Sequence, residues 1–333
     1  MIAQFKVNYT GFTICIIIAM SASLLASRYD APVMLFALLL GLSMHFLYES
    51  PRQQQGIDFC SKSLLRIAVG LLGVRISVSD IVSLGFTAPL IIILAMALTI
   101  FFGVLMAKAL GLSRSFGLLT GGAVAVCGVS AAAAISTVLP KKDYQEKYFA
   151  LTVIGITTLS TLAMITYPLI AAMLGLPDKL AGVFIGGSIH DVAQVVGAGY
   201  SISPEAGDIA TYIKLLRVAL LLPIVVIIFF SFKGQTNKKE NQGIKTKLTT
   251  YVPSFLMVFF VLALFNNLGW IPQILVQIIE SLSNGLLVVA IVAIGLRTSL
   301  KEIASVGWRP IFLLTSETIF FATLIILGIV FII

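Results

Sequence analysis

Two ionisable residues, His190 and Asp191, are adjacent in the glycine-rich segment 186–199, within a chain whose residues are mostly hydrophobic. The chain has only two histidines, and charged residues make up 11% of its length. An ionisable side chain at membrane depth is costly, so its default interpretation is functional. Glycine-interrupted backbone in a membrane is tolerated where it is buried in protein or lines a wet cavity. The segment therefore predicts a solute pathway.

The chemistry expected of this segment is proton or cation binding. Asp191 can accept a proton or pair with a cation, and His190 can titrate near neutral pH. Gln194 lies four residues after His190 and three after Asp191, so on a helix the three side chains would share one face. The alternative is an internal hydrogen-bonded network that only locks helices together. We favour the functional interpretation because ionisable residues inside membranes default to function.

A second segment, GGAVAVCGVSAAAAISTVLP at 121–140, is rich in small residues. Small residues let helices approach closely and let a helix break. A broken helix exposes free backbone N–H groups and a positive dipole end, which together bind anions. Cys127, Gly128 and Ser130 would lie at such an end, and Ser188 would contribute from the other glycine-rich segment. Close helix packing explains the same composition equally well.

Lys214 and Arg217, in the stretch YIKLLRVALLLP, lie at or inside the start of an apolar run. We expect one of them to extend to the membrane interface and the other to face Asp191 or a bound anion. Because they lie three residues apart on one helical face, periodicity leaves open which residue takes which role.

Composition places these residues in a membrane protein. Hydrophobic residues make up 59% of the chain, whereas a soluble domain is roughly 25% charged. Apolar runs of about 17–25 residues predict membrane spans, and they lie at 11–27, 31–48, 88–110, 148–173, 209–232, 251–266, 274–296 and 310–333. Less clear runs lie at 64–79, 115–139 and 180–200. We expect one all-α polytopic membrane helix bundle over residues 1–333, with about nine to eleven spans.

The net charge of +8 does not indicate nucleic-acid binding, because the basic residues lie at loop ends. The densest cluster, between Lys233 and Lys247, predicts a cytoplasmic loop and a cytoplasmic N-terminus. The basic residues near 141–147 fit the same rule only if 115–139 and 180–200 are re-entrant hairpins or broken helices that enter from opposite faces. The three cysteines have no metal-type or redox-type spacing, and no cofactor or metal is expected.

An internal repeat accompanies this topology. GVRISVSDIVSLG at 73–85 matches GLRTSLKEIASVG at 295–307, with an arginine near the membrane edge in each copy, Arg75 and Arg297. With the predicted spans, the two copies run in opposite directions. Weak inverted symmetry of this kind is common in secondary transporters.

These stretches resemble a known family. GGSIHDVAQVVGAGYSISPEA, KLLRVALLLP, CGVSAAAA and the pair GVRIS/GLRTS are similar to the YeiH-type bacterial inner-membrane family of sulfate exporters, from about residue 64 to 310. The resemblance implies the fold of the wider cation–proton antiporter and anion transporter superfamily, with a scaffold and a moving core of discontinuous helices. It also implies location in the inner membrane.

The leading functional expectation is a secondary transporter, working as an exporter, of a small inorganic or organic anion such as sulfate. Asp191 and His190 would couple protons, while helix ends with Ser130 and Ser188 would cradle the anion. Lys214 or Arg217 would balance charge. A homodimer would hold the scaffold still, although no interface motif identifies one.

Three other classes of function are alternatives to an anion transporter. A cation–proton antiporter of the same fold predicts several core carboxylates, whereas the two glycine-rich segments contain only Asp191. A passive channel predicts a ring-like polar lining of a pore. An intramembrane enzyme is the least favoured, although Cys127, His190 and Asp191 superficially resemble a Cys-His-Asp triad.

Overall fold

The computed structural model describes residues 2–29, 33–75, 85–140, 146–232, 254–297 and 308–332, which form helices and no strand. Apolar segments form helices inside a membrane because a helix satisfies its own backbone hydrogen bonds. We number them α1 (Ile2–Tyr29), α2 (Val33–Ser43), α3 (Pro51–Phe59), α4 (Leu65–Leu71), α5 (Thr87–Ala109), α6 (Arg114–Ala125), α7 (Val129–Ser136), α8 (Glu146–Met173), α9 (Asp178–Ser188), α10 (Val192–Ile202), α11 (Pro204–Ala219), α12 (Leu221–Phe232), α13 (Ser254–Asn267), α14 (Gln273–Arg297) and α15 (Trp308–Ile332).

Six stretches of helix among the described residues are long and apolar enough to cross a membrane. They are Tyr9–Tyr29, Thr87–Ala109, Tyr148–Met173, Pro204–Ser231, Gln273–Arg297 and Trp308–Phe331. Of the other clear runs, 31–48 corresponds to the shorter helix α2 and 251–266 to α13, and the run at 64–79 begins with α4, which a π turn at Cys60–Leu64 joins to α3. The expectation of an all-α polytopic membrane bundle is confirmed.

The helices form two packed groups. The first, which we call the panel, comprises α1, α2, α3, α4, α13 and α14. Small residues let these backbones approach closely: a methyl group added at Gly295 of α14 would lie 2.9 Å from the Cα atom of Gly41 in α2. The second group, the core, comprises α5–α11 and α15, and α10 carries contacts from the core to α2 and α14.

The segment 115–139 forms a hairpin, α6–α7. Ile135, near the end of α7, contacts Gly122 in the last turn of α6. A helix that continued straight on would separate these two residues by about 20 Å, at 1.5 Å per residue. The chain therefore turns back at residues 126–128, and the predicted break in this segment is confirmed.

The segment 180–200 forms a second hairpin, α9–α10, and its packing against α11 shows the direction of each arm. Gly182 and then Gly186 of α9 pass Ala206 and then Ala210 of α11, so these helices run parallel. Gly199, late in α10, lies beside Gly207, early in α11, so these two helices run antiparallel. The two arms are thus antiparallel to each other, as a re-entrant hairpin requires.

The two hairpins enter from opposite ends of α8. The rings of Phe116, at the start of α6, and Tyr148, at the start of α8, lie 4.6 Å apart. At the other end, Lys179 at the start of α9 lies 3.9 Å from Glu205 at the start of α11. The hairpin tips meet near the middle of α8, as the distribution of basic residues predicts.

The proposed inverted repeat falls largely on residues 76–84 and 298–307, outside the described residues, and it stays a prediction, as do the sides of the basic loops at 141–145 and 233–253. The repeat's two arginines are described. Arg75 lies 3.1 Å from Asp208 and Arg297 lies 3.4 Å from Asp58, which are distances of ion pairs.

The hairpin topology predicts which residues share a face of the membrane. Cysteines substituted for the exposed residues Asp178 and Glu205 should react with a membrane-impermeant maleimide from the same side. A cysteine at exposed Arg114 should react from the opposite side. The native cysteines are buried, so the unsubstituted protein is the control. Labelling of positions 178 and 205 from opposite sides would show that α9–α10 crosses the membrane.

Candidate functional site

The tips of the two hairpins touch each other at Gly128 and His190. A methyl group added at Gly128 would lie 3.6 Å from the carbonyl oxygen of His190 and 3.1 Å from Ile156 of α8. Gly128 also has φ +65° and ψ −124°, a conformation that only glycine adopts readily. Glycine is therefore required here for the turn, and the two tips are in van der Waals contact at this position.

Lys214 of α11 joins the two tips. Its Nζ donates to the carbonyl oxygen of Val126 in the first tip (2.8 Å) and to that of Ile189 in the second (3.0 Å). The side chain is fully buried. A buried ammonium is tolerated where its charge is hydrogen-bonded, and here the free carbonyls left by two helix breaks supply the acceptors.

Arg217, one turn further along α11, completes this arrangement. Its Nε donates to Ala125 (3.0 Å), its Nη1 to Gly186 (2.9 Å) and Ile189 (2.8 Å), and its Nη2 to Val124 (3.0 Å), all at carbonyl oxygens. The guanidinium also lies 4.7 Å from the centroid of the Phe321 ring, a cation–π contact. The planar fork reaches more acceptors than an ammonium can.

Both cations therefore lie at the carboxyl ends of α6 and α9. Such ends carry partial negative charge from unpaired carbonyls, and a cation near them is favourable. The expectation that one of these residues extends to the interface is wrong, because both are completely buried. Hydrogen bonds to backbone carbonyls of the two tips, which are distant in sequence, hold both side chains inside the protein rather than at the membrane surface.

The amino ends of α7 and α10, the second helix of each hairpin, differ in how they are capped. Asp191 caps α10, since its Oδ1 accepts from the backbone N–H of Ala193 at 2.8 Å. Helix α7 begins at Gly128 with no side-chain cap, so its first N–H groups lack intrahelical acceptors. Ser130 is exposed, and Val129, Asp191 and Val192 are partly exposed. The uncapped end of α7 and the capping carboxylate are thus the accessible polar features of the site.

His190, Asp191 and Gln194 do not share a helical face, contrary to expectation. The backbone is extended at Ile189 and Asp191, so α10 begins only at Val192. His190 contacts Thr318 of α15, with 3.0 Å between Nε2 and Oγ1, whereas Gln194 donates to Thr161 of α8 at 2.9 Å. The glycines that permit the hairpin also interrupt the helical periodicity.

Other predicted residues take internal positions. Ser188 is buried and donates to the carbonyl of Phe184 within α9, and Cys127 is buried within the first tip. Among the residues that the structure describes, His190 Nδ1 has no hydrogen-bond partner, and its Nε2 faces Thr318. Within the described residues, Cys127, His190 and Asp191 therefore form no hydrogen-bonded relay of the kind a cysteine nucleophile needs.

The sequence interpretation missed Glu317. This fully buried residue of α15 accepts a hydrogen bond at Oε1 from Thr120 of α6, at 2.8 Å. Thr318, beside it, contacts the second hairpin through His190. The available signal was a lone acidic residue near the middle of the apolar run 308–332, which the cost of intramembrane charge marks as functional.

The position of Arg217 predicts a large stability effect. Arg217→Met should lower the free energy of unfolding by ~3–5 kcal/mol, because it removes one partner of a buried, charged network. Arg217→Lys should be intermediate, since one ammonium cannot reach four carbonyls. Thermal unfolding in detergent measures this, with Arg66→Met, at an exposed position of α4, as the control. Equal stability of Arg217→Met and the control would contradict the network's role.

Comparison with other proteins agrees with this structure. The family model described as "Conserved hypothetical protein 698" matches residues 10–314. A UPF0324 membrane protein of Chlorobaculum tepidum is 45% identical over 97% of this chain and 89% of its own length. One from Rhizobium meliloti is 45% identical over 96% and 91%, and TauZ of Paracoccus denitrificans is 41% identical over 96% and 94%. No solved structure matches the chain. The chain belongs to the UPF0324 family of membrane proteins, the YeiH-type family that its motifs resemble.

Proposed function

We propose that this protein is a secondary transporter of a small anion such as sulfate, working as an exporter in the bacterial inner membrane. The observation that carries the proposal is the uncapped amino end of α7 at the meeting point of two re-entrant hairpins. Discontinuous helices whose amino ends point at anionic groups are a recurring device of secondary transporters near the bilayer midplane.

The electrostatics of the site favour an anion. Helix breaks create negative as well as positive ends, and a site with both would have no preference for either charge. Here Lys214 and Arg217 already bind the carbonyl ends of α6 and α9. The N-cap residue of α7, Gly128, has no side chain with which to cap the helix, so an incoming anion would supply an acceptor there.

The donors in this position suit a fully ionised oxyanion. Backbone N–H groups at the start of α7 and the exposed hydroxyl of Ser130 can donate hydrogen bonds, and sulfate has only acceptor oxygens. Gly128 would allow the backbone to approach the anion. Cys127, Ser188, Gln194, Lys214 and Arg217 would position the tips rather than touch the anion.

Asp191 is the proposed coupling residue. Its carboxylate is partly exposed near the first hairpin's tip, where its negative charge would oppose a bound anion. Protonation of Asp191 would remove that repulsion, so a proton and an anion would bind more readily together. His190, which precedes Asp191 in the chain and contacts Thr318, would assist by accepting or donating a proton.

The proposal extends to the assembly and orientation of the protein. The N-terminus would be cytoplasmic, as the basic loops predict, and the panel would serve as the fixed scaffold of a homodimer while the core moves. Neither nucleic acid nor a cofactor has a role in this proposal.

The first test is radiolabelled sulfate efflux from proteoliposomes, with and without an imposed pH gradient. The wild type should release sulfate faster with the gradient, and Asp191→Asn should lose that acceleration because it cannot titrate. Asp178→Asn, at an exposed position at the start of α9, is the matched control. Unchanged gradient-driven efflux in Asp191→Asn would exclude the coupling role.

Other outcomes separate the alternatives. If folded wild-type protein moves no sulfate, the same vesicles are loaded with other anions and then with sodium. Sodium flux that depends on Asp191 would identify a cation–proton antiporter, for which the partly exposed carboxylate is the supporting observation. Turnover far above the rates of carriers would identify a channel.

A further inference from the structure

A second carboxyl group lies in the core, outside the proposed anion site. Glu317 is fully buried, and it stands near the middle of the span Trp308–Phe331. Within the described residues its Oε2 atom has no hydrogen-bond partner, and no ion pair includes it. A carboxylate without water or a counter-charge is so costly that the group becomes neutral instead.

The contacts of Glu317 fit a neutral acid. The hydroxyl of Thr120 lies 2.8 Å from Glu317 Oε1 and 3.1 Å from the carbonyl oxygen of Phe116. A hydroxyl has one proton and can also accept. When the Thr120 hydroxyl donates to the carbonyl of Phe116, it can accept a hydrogen bond from a protonated Glu317, so a chain of two hydrogen bonds holds the acid.

The position of Glu317 links it to both hairpins. Thr120 belongs to α6 of the first hairpin, and the neighbouring Thr318 contacts His190 at the tip of the second, with 3.0 Å between the two side-chain atoms. One turn away on the same helix, Phe321 packs under the guanidinium of Arg217. Movement of either hairpin relative to α15 would therefore change the surroundings of this carboxyl group.

The charged and titratable groups around Glu317 are few among the described residues. The second hairpin presents His190 through Thr318, and α11 presents Arg217 across Phe321. On the helices packed against α15, Lys108 and Arg114 stand at the ends of α5 and α6. The tyrosines of α8 stack on phenylalanines, Tyr148 on Phe116 and Tyr167 on Phe184. None of these groups forms an ion pair with the carboxyl group.

We propose that Glu317 is a second proton-carrying residue of the transport cycle, and this rests on the transport function proposed above. In the conformation described here the carboxyl group is shielded from water and holds one proton. When the hairpins move and open a path to water, the proton leaves to water on that side. In the opposite-facing state the carboxylate takes one proton from water on the other side, so the transfer balances.

A structural role is the competing explanation, because the bond to Thr120 also ties α6 to α15. Glu317→Gln separates the two roles. Glutamine keeps the size and the hydrogen-bonding capacity of the side chain but cannot release a proton. Glu205→Gln, at an exposed helix start, is the matched control for the same chemical change.

The experiment compares two modes of sulfate transport in proteoliposomes. Sulfate–sulfate exchange needs no net proton movement, whereas net flux driven by a pH gradient does. We expect Glu317→Gln to retain exchange and lose gradient-driven net flux, while Glu205→Gln behaves as the wild type. Gradient-driven flux at the wild-type rate in Glu317→Gln, or loss of both modes in folded protein, would overturn the proposal.

An infrared measurement tests Glu317 without relying on sulfate transport. If the wild type moves no sulfate, or if Glu317→Gln does not fold, spectra of the wild type are recorded across pH in H₂O and D₂O. We expect a carboxylic-acid carbonyl band that titrates, shifts in D₂O and moves in Glu317→Asp. A spectrum in which no band is altered by Glu317→Asp, or in which that band never titrates or exchanges, would overturn the assignment.

Discussion

The structure depends on how it satisfies backbone polar groups where two helices are interrupted inside a membrane. Each break frees carbonyl and N–H groups that neither water nor lipid can satisfy. Lys214 and Arg217 make six hydrogen bonds to five carbonyl oxygens, contributed by both hairpins. Without these two cations, the meeting of the tips would leave uncompensated negative helix ends in the core.

The two helices that start at the breaks differ in whether a side chain caps their first N–H groups. Asp191 supplies an acceptor for the start of α10, whereas the start of α7 has no side chain in that position. Because the carbonyl ends are already bound, the accessible backbone groups at the breaks are the N–H groups at the start of α7, beside the exposed hydroxyl of Ser130. In the proposed transporter, the residues that stabilise the fold would therefore also favour an anion as substrate.

Much of this arrangement could be predicted from the sequence, and the failures have a common cause. Glycine-rich segments and the positions of lysines were enough to predict two hairpins from opposite faces. Helical periodicity predicted that His190 and Gln194 share a face. It assumes a continuous helix, however, and the position of the break between them depends on tertiary contacts. The partners of Lys214 and Arg217 are backbone atoms, which no pattern of side chains reveals. Glu317 was detectable as a lone acidic residue in the apolar run 308–332, but it lies outside the two glycine-rich segments from which the site was predicted.

The bonding pattern also indicates which parts can move together. Since α11 is hydrogen-bonded to both tips through Lys214 and Arg217, neither hairpin can shift far without the other or without breaking buried charged bonds. Contacts between core and panel run mainly from α10 to α2 and α14, and one described ion pair, Arg75 with Asp208, crosses that boundary. A transport cycle in this architecture would move α11 and both hairpins as one body, so that their contacts with α15 through Thr120 and Thr318 would change together.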